Sequence, residues 1–143
     1  EANRIVNMLK EIFSSTTNAA SIPETIGIVT PYTAQVVHLK NTMARDEEFT
    51  RQANGFKTTI EVKSVDAYQG REMDVIIFSC VRSNREGKVG FLKDWRRMNV
   101  AFTRAKSALI VVGDLETLMA GSLHWEAFGQ WCANIGCVNN SFK

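Results

Sequence analysis

Three arginines and a lysine, Arg96, Arg97, Arg104 and Lys106, sit in the short stretch RRMNVAFTRAK, whose remaining positions are mostly Met, Val, Ala and Phe. A guanidinium held at a fixed edge binds phosphate through paired hydrogen bonds and can stabilise charge developing on a transferring phosphoryl group. Lysine does this less well because it lacks the planar fork. A half-buried helix whose arginines merely reach out to water would present the same residues. A second chemical cluster is VDAYQGRE. Gly70 frees the backbone to turn tightly or approach a ligand, and Gln69, Arg71 and Glu72 offer an amide, a cation and a carboxylate in a row. A carboxylate at such a bend can accept from ribose hydroxyls, although read alone the turn is also what an ordinary solvated bend looks like. Tyr32, after Pro31, is placed in a loop where it could meet a nucleotide base or sugar or simply pack.

Other constellations are absent or weak. A phosphate cradle needs G-x-x-x-x-G-K-[ST], and the chain's Gly-Lys pair, Gly87-Lys88, is followed by Val89 and has Arg82 where the first glycine belongs. No apolar strand ends in paired acids suited to magnesium, since Asp46-Glu47 follows a charged helical stretch. Cys132 and Cys137 have no second pair, and His38 and His124 are far apart, so no zinc site is expected. Trp125, Phe128 and Trp131 recur at helical spacing and read as a docking face rather than a base-stacking platform.

The elements that must position these groups alternate. Ile5, Met8, Leu9 and Ile12 predict a first helix, and IGIVT a buried strand. A helix is expected from Thr33 to about Gln52, a turn at Asn54-Gly55, and a strand through TTIEVKSV. DVIIFSCV, rich in β-branched residues without polar alternation, reads as a parallel strand covered on both faces. A helix over Asp94–Lys106 follows, with Met98, Phe102 and Ala105 on its core side and Arg97, Ala101 and Arg104 on a neighbouring face. SALIVVGD is then a buried strand, and LETLM and HWEAFGQWCANIG are closing helices, the last capped by Gly136. This order predicts an α/β fold, a doubly wound and mostly parallel sheet with helices on both faces. Open parallel sheets bind ligands at the carboxyl ends of their strands, so the loops PYTAQ, VDAYQGRE and RSNRE are expected on one rim.

At 143 residues with 45% hydrophobic content, the chain can bury one domain's core. The net charge of +2 implies no polycationic arm, so any phosphate binding must come from locally placed charge. An odd set of three cysteines suits a reducing compartment, and no apolar run approaches the ~20 residues of a membrane span. No membrane partner is expected. Because the sequence opens directly inside a helix, residues 1–143 read as a single domain cut from a longer protein.

Taken together, VTPYTAQ, VKSVDAYQGREMDVIIFSCVRSN and VGFLKDWRRMNVAFTRAK resemble successive motifs of the second, RecA-like motor domain of superfamily 1B helicases, closest to the nonsense-transcript regulator and senataxin-like group. The motif stretches make up about half of the chain, and the intervening helices fit the same domain. The resemblance implies ATP with magnesium, both held mainly by a first RecA-like domain of the parent chain that this sequence lacks. It places Arg104 on the γ-phosphate across the inter-domain cleft, Gly70 and Glu72 on the nucleotide, and Gln69 and Arg97 in support of the cleft. Thr30, Pro31, Tyr32 and Ser64 would lie near the backbone of single-stranded RNA or DNA, with Arg82 close by. The family's further arginine, in an upstream Gln-Tyr-Arg-Met-His-Pro segment, is missing, and Lys106 stands where many relatives carry Arg. The implied protein is a 5′-to-3′ helicase acting as a monomer in nucleus or cytoplasm. A helicase-like scaffold without ATPase activity is the competing reading. A dinucleotide-binding enzyme is disfavoured because no G-x-G-x-x-G follows a predicted strand.

Overall fold

The computed structural model describes residues 1–15, 18–68, 70–81, 87 and 89–139. Four strands, β1 (Thr25–Thr30), β2 (Thr59–Ser64), β3 (Met73–Ser79) and β4 (Ala105–Val112), form one sheet in the order β2-β1-β3-β4, every neighbouring pair parallel. β1 and β3 are the central strands, and their near-continuous apolar runs are buried on both faces. Side chains alternate as the two-residue period requires. Ile26, Ile28, Val75 and Ile77 face one layer, while Val29, Ile76 and Phe78 face the other.

The first layer consists of α1 (Ala2–Ser15), α2 (Thr33–Arg45) and α3 (Glu47–Asn54), which contribute Ile5, Leu9, Phe13, Leu39 and Phe49 to one core cluster. The second holds two 3-10 turns, Val65–Tyr68 and Gly90–Lys93, with α4 (Trp95–Phe102), α5 (Leu115–Gly121) and α6 (Leu123–Asn134). Tyr68, Leu92, Met98, Leu118 and Trp125 fill its core. Trp125 is fully buried because its one polar group is satisfied there: Nε1–H donates to the Leu92 carbonyl at 2.8 Å. Of the expected docking face on α6, Trp125 and Phe128 pack inward, while Trp131 remains 58% exposed. The end of α6 is closed as expected of Gly136, whose N–H donates to Ala133 at 3.1 Å while that of Cys137 donates to Cys132 at 2.8 Å.

The chain passes from β1 through α2 and α3 to β2 over the first face. It then returns over the second face to β3, and goes on through α4 to β4. The fold is therefore the doubly wound α/β sheet read from the sequence, with its switch point between the carboxyl ends of β1 and β3.

Two helix boundaries differ from expectation. The helix expected over Thr33–Gln52 is broken at Asp46, whose N–H ends α2 on Met43 O and whose Oδ1 accepts from Phe49 N at 2.8 Å to start α3. The helix expected over Asp94–Lys106 stops at Phe102. Asp94 starts it by accepting from Arg96 N at 3.0 Å, and at the far end Ala105 already pairs with Met73 as the first residue of β4. Arg104 thus lies in a turn, and Lys106 in a strand, rather than on a helical face.

Candidate functional site

Because β2 and β3 run parallel, a chain leaving β2 at Ser64 must recross the sheet before entering β3 at Met73. Residues 65–72 make that crossing. The Tyr68 ring lies over Gly27 of β1, where a Cβ would come within 3.1 Å of the phenol oxygen, and the hydroxyl donates to Glu61 O at 2.8 Å. Burial, followed by the nearby Glu61 charge, pushes the phenol pKa well up, so it stays a neutral donor. The chain then turns at Gly70, at φ +73° with nothing within 4 Å of where a side chain would begin. Glycine is needed here for its backbone conformation, and the space beside it is open.

The turn delivers Glu72, which is exposed, to the amino edge of the sheet. Met73 N–H donates to Arg104 O at 2.9 Å and Met73 pairs with Ala105, so Glu72 and Arg104 each stand one residue before paired strand starts. This corrects the single-rim expectation. Gly70 to Glu72 lie at the opposite edge from the loop after β1, because parallel topology forces the crossing, and the RSNRE loop expected on the same rim falls outside the described residues. Gln69 falls outside the described residues.

Arg104 is oriented from the end of α4. Its Nη2 donates to Thr103 Oγ1 at 3.2 Å, and the Thr103 hydroxyl donates in turn to Asn99 O at 2.7 Å. The Arg104 Nε is buried and has no hydrogen-bond partner among the described residues. An unpaired N–H on a permanently charged group is costly, and an anion arriving at this edge would satisfy it.

Arg97, expected to share a face with Arg104, sits instead in the first turn of α4. There it is 5.4 Å from the Phe91 ring centre and 4.0 Å from carboxylate oxygens of both Asp66 and Asp94. It lines an open groove of about 190 Å³ with Val65, Asp66, Arg96 and Val100. Ligand pockets commonly occupy ~300–1,000 Å³, so this groove encloses no nucleotide by itself.

The remaining candidates gather at the carboxyl edge. Thr30 and Ser64 are register partners at the ends of β1 and β2. Thr30 is fully buried, and its Oγ1 accepts from Tyr32 N at 3.4 Å. Pro31 is half-buried, and Tyr32 donates its hydroxyl to Val89 O at 3.4 Å, its ring 5.9 Å from Phe91. Arg82 lies outside the described residues.

Sequence reasoning missed what occupies the switch point. The Glu1 carboxylate accepts from the buried Ser79 hydroxyl at 2.6 Å and from Val81 N at 2.8 Å through one oxygen, while Gln35 Nε2 donates to Ser79 Oγ at 3.2 Å. Val81 adopts φ +70°, a strained conformation for a β-branched residue. No local spacing signals a contact between residues 80 apart. Glu61 was also missed, and its signal was visible: a carboxylate in the middle of the strand TIEVKS.

A family model described as "AAA domain" matches residues 1–116. The chain is 45% identical over 114 residues to DNA polymerase alpha-associated DNA helicase A of Saccharomyces cerevisiae, covering 78% of this chain and 16% of that protein. It is 37% identical over 123 residues to Helicase sen1 of Schizosaccharomyces pombe, covering 86% of this chain and 7% of that one. Against the Regulator of nonsense transcripts 1 homolog of Arabidopsis thaliana it is 46% identical over 97 residues, covering 68% and 8%. The chain thus spans no more than 16% of the length of these relatives. No helix among the described residues is long and apolar enough to cross a membrane.

Proposed function

Because this chain belongs to the AAA domain family, and within it to the superfamily 1B helicases of the nonsense-transcript regulator and Sen1-like group, we propose that residues 1–143 serve as the second motor domain of an ATP-dependent helicase. The observation that carries this reading is the meeting of Arg104, Glu72 and Gly70 at one sheet edge, with the buried Arg104 Nε lacking a partner among the described residues. The sequence has no phosphate cradle, so on this reading the domain completes an ATP site without building one. ATP and magnesium are held mainly by the first RecA-like domain of the same parent chain.

The chemistry of this edge is electrostatic. ATP supplies the phosphoryl group whose transfer to water releases the free energy for movement. The Arg104 guanidinium meets the charge that develops on that group, in a cleft where a fixed cation costs no reorganisation. Glu72 accepts from a ribose hydroxyl, and Gly70 leaves room for the nucleotide to approach. Arg97 and Gln69 support the cleft.

Single-stranded RNA or DNA is gripped at the opposite edge by Pro31, Tyr32 and Ser64, with the buried Thr30 hydroxyl holding the loop that carries Tyr32; Arg82 adds a cation to this grip. Such contacts track the backbone and carry little base information. Closure of the two motor domains on ATP, and their release after hydrolysis, then drives 5′-to-3′ stepping by a monomer.

The test is substitution of Arg104 in the full-length protein. Arg104→Ala slows single-turnover hydrolysis by about 10³-fold or more while ATP affinity changes far less. Arg104→Lys stays strongly impaired because it keeps the charge and loses the fork. Near-normal hydrolysis by folded Arg104→Ala would overturn the reading.

A further inference from the structure

We propose that Glu61 is a positioning residue for the nucleotide-facing turn, acting through Arg71; the inference rests on the second-motor-domain reading. Glu61 belongs to β2, an edge strand of the sheet, and ties down the crossing segment at two points. Its backbone carbonyl receives the Tyr68 hydroxyl at 2.8 Å. Its carboxylate accepts from Arg71 Nη2 through Oε1 at 3.0 Å, while Oε2 lies at ion-pair distance, 2.8 Å, without a hydrogen bond of its own. The Arg71 guanidinium also lies 5.9 Å from the centre of the Tyr68 ring, and Arg71 N–H donates to Tyr68 O at 3.2 Å. Lys63 Nζ, 3.9 Å from Glu61 Oε2, adds a second cation.

Tyr68 and Arg71 flank the Gly70 bend, and Glu72 follows directly. A side chain at Gly70 would meet only open space, and the Glu72 carboxylate has no polar partner among the described residues. Among the described residues, Tyr68 and Arg71 hold the two sides of the bend, and both lead to Glu61. Fixing the bend is what sets the direction of Glu72, and hence the distance between its carboxylate and a bound ribose. Positioning of this kind acts on binding rather than on the phosphoryl step, where Arg104 works from the neighbouring strand start.

The experiment is steady-state and single-turnover ATP hydrolysis by the full-length protein carrying Glu61→Ala, Arg71→Gln, the exchange Glu61→Arg with Arg71→Glu, or Arg104→Ala, with melting temperatures on the same samples. Glu61→Ala leaves the carbonyl that receives Tyr68 in place and so isolates the carboxylate. It raises KM for ATP by about fivefold, the upper end for a part-exposed ion pair, with kcat nearly unchanged. Arg71→Gln does the same, and the exchange restores most of the lost affinity. A folded Glu61→Ala protein with unchanged KM, or a raised KM that the exchange does not lower, overturns the inference. Normal hydrolysis by Arg104→Ala would instead remove the second-motor-domain reading beneath it.

Discussion

Gly27, in the middle of β1, shows how a single missing side chain seats the segment that crosses to the amino edge. A Cβ there would stand 2.9 Å from Ile76 Cδ1 and 3.1 Å from both Met73 Cγ and the Tyr68 hydroxyl oxygen. The ring that carries the chain back across the sheet occupies that space. Gly27→Ala is expected to destabilise the domain by about 1–3 kcal/mol, the usual cost of overfilling a packed core. Thermal or denaturant unfolding of the purified chain would show it. An unchanged midpoint would mean that Tyr68 is not seated as described. Residue identity pointed to some members of this candidate site and not to the residues packed around them. Arg104, Gly70 and Glu72 stood out because their types suit phosphate and ribose and because they fall in recognisable motifs. Glu61 and Glu1 did not, since their partners are ten and about eighty residues away and only the fold brings them together.

At the level of elements, Asp46 ends one helix, starts the next and anchors both to α1. Its carboxylate accepts from Phe49 N and from Lys10 Nζ at 2.9 Å. The backbone hydrogen bond, and after it Lys10, holds the Asp46 pKa below its ordinary value, while the hydrogen bond to Asp46 raises that of Lys10. The signs define a window. Asp46 contributes fully above the unfolded carboxyl value of about 3.9 and loses its contribution as pH falls through the lower folded value. Lys10 contributes fully below about 10.4 and loses its share as pH rises through the higher folded value. Asp46→Ala should therefore lower the melting temperature by a constant amount between about pH 5 and pH 9, with the gap from the unaltered protein shrinking in acid as the carboxylate is protonated and narrowing in alkali to what the Phe49 hydrogen bond alone supplies. A gap independent of pH would show that neither charge contributes. The strands β1 and β3 were legible because burial on both faces leaves an uninterrupted apolar run. The end of α4 was not, because Ala105 satisfies a helical stripe in sequence, whereas pairing with Met73 commits it to β4.

For the whole molecule, the sheet separates two groups of candidate residues. The turn before β3 and the turn before β4 bring Gly70, Glu72 and Arg104 to the amino edge, while Thr30, Pro31, Tyr32 and Ser64 stand at the carboxyl edge. The alternation of helices and strands was enough to read the doubly wound sheet. It could not show which loops share an edge, because that depends on β2 and β3 both lying parallel to β1 with β1 between them. On the proposed reading, residues 65–72 span from the nucleic-acid edge to the nucleotide edge, and the ATP site is shared with another domain. ATP hydrolysis by this chain alone, with magnesium and single-stranded RNA present, distinguishes a shared site from a self-sufficient one. A shared site predicts no turnover above background at any RNA concentration, because the domain has no phosphate cradle. Robust hydrolysis that rises with the amount of this chain would contradict the account.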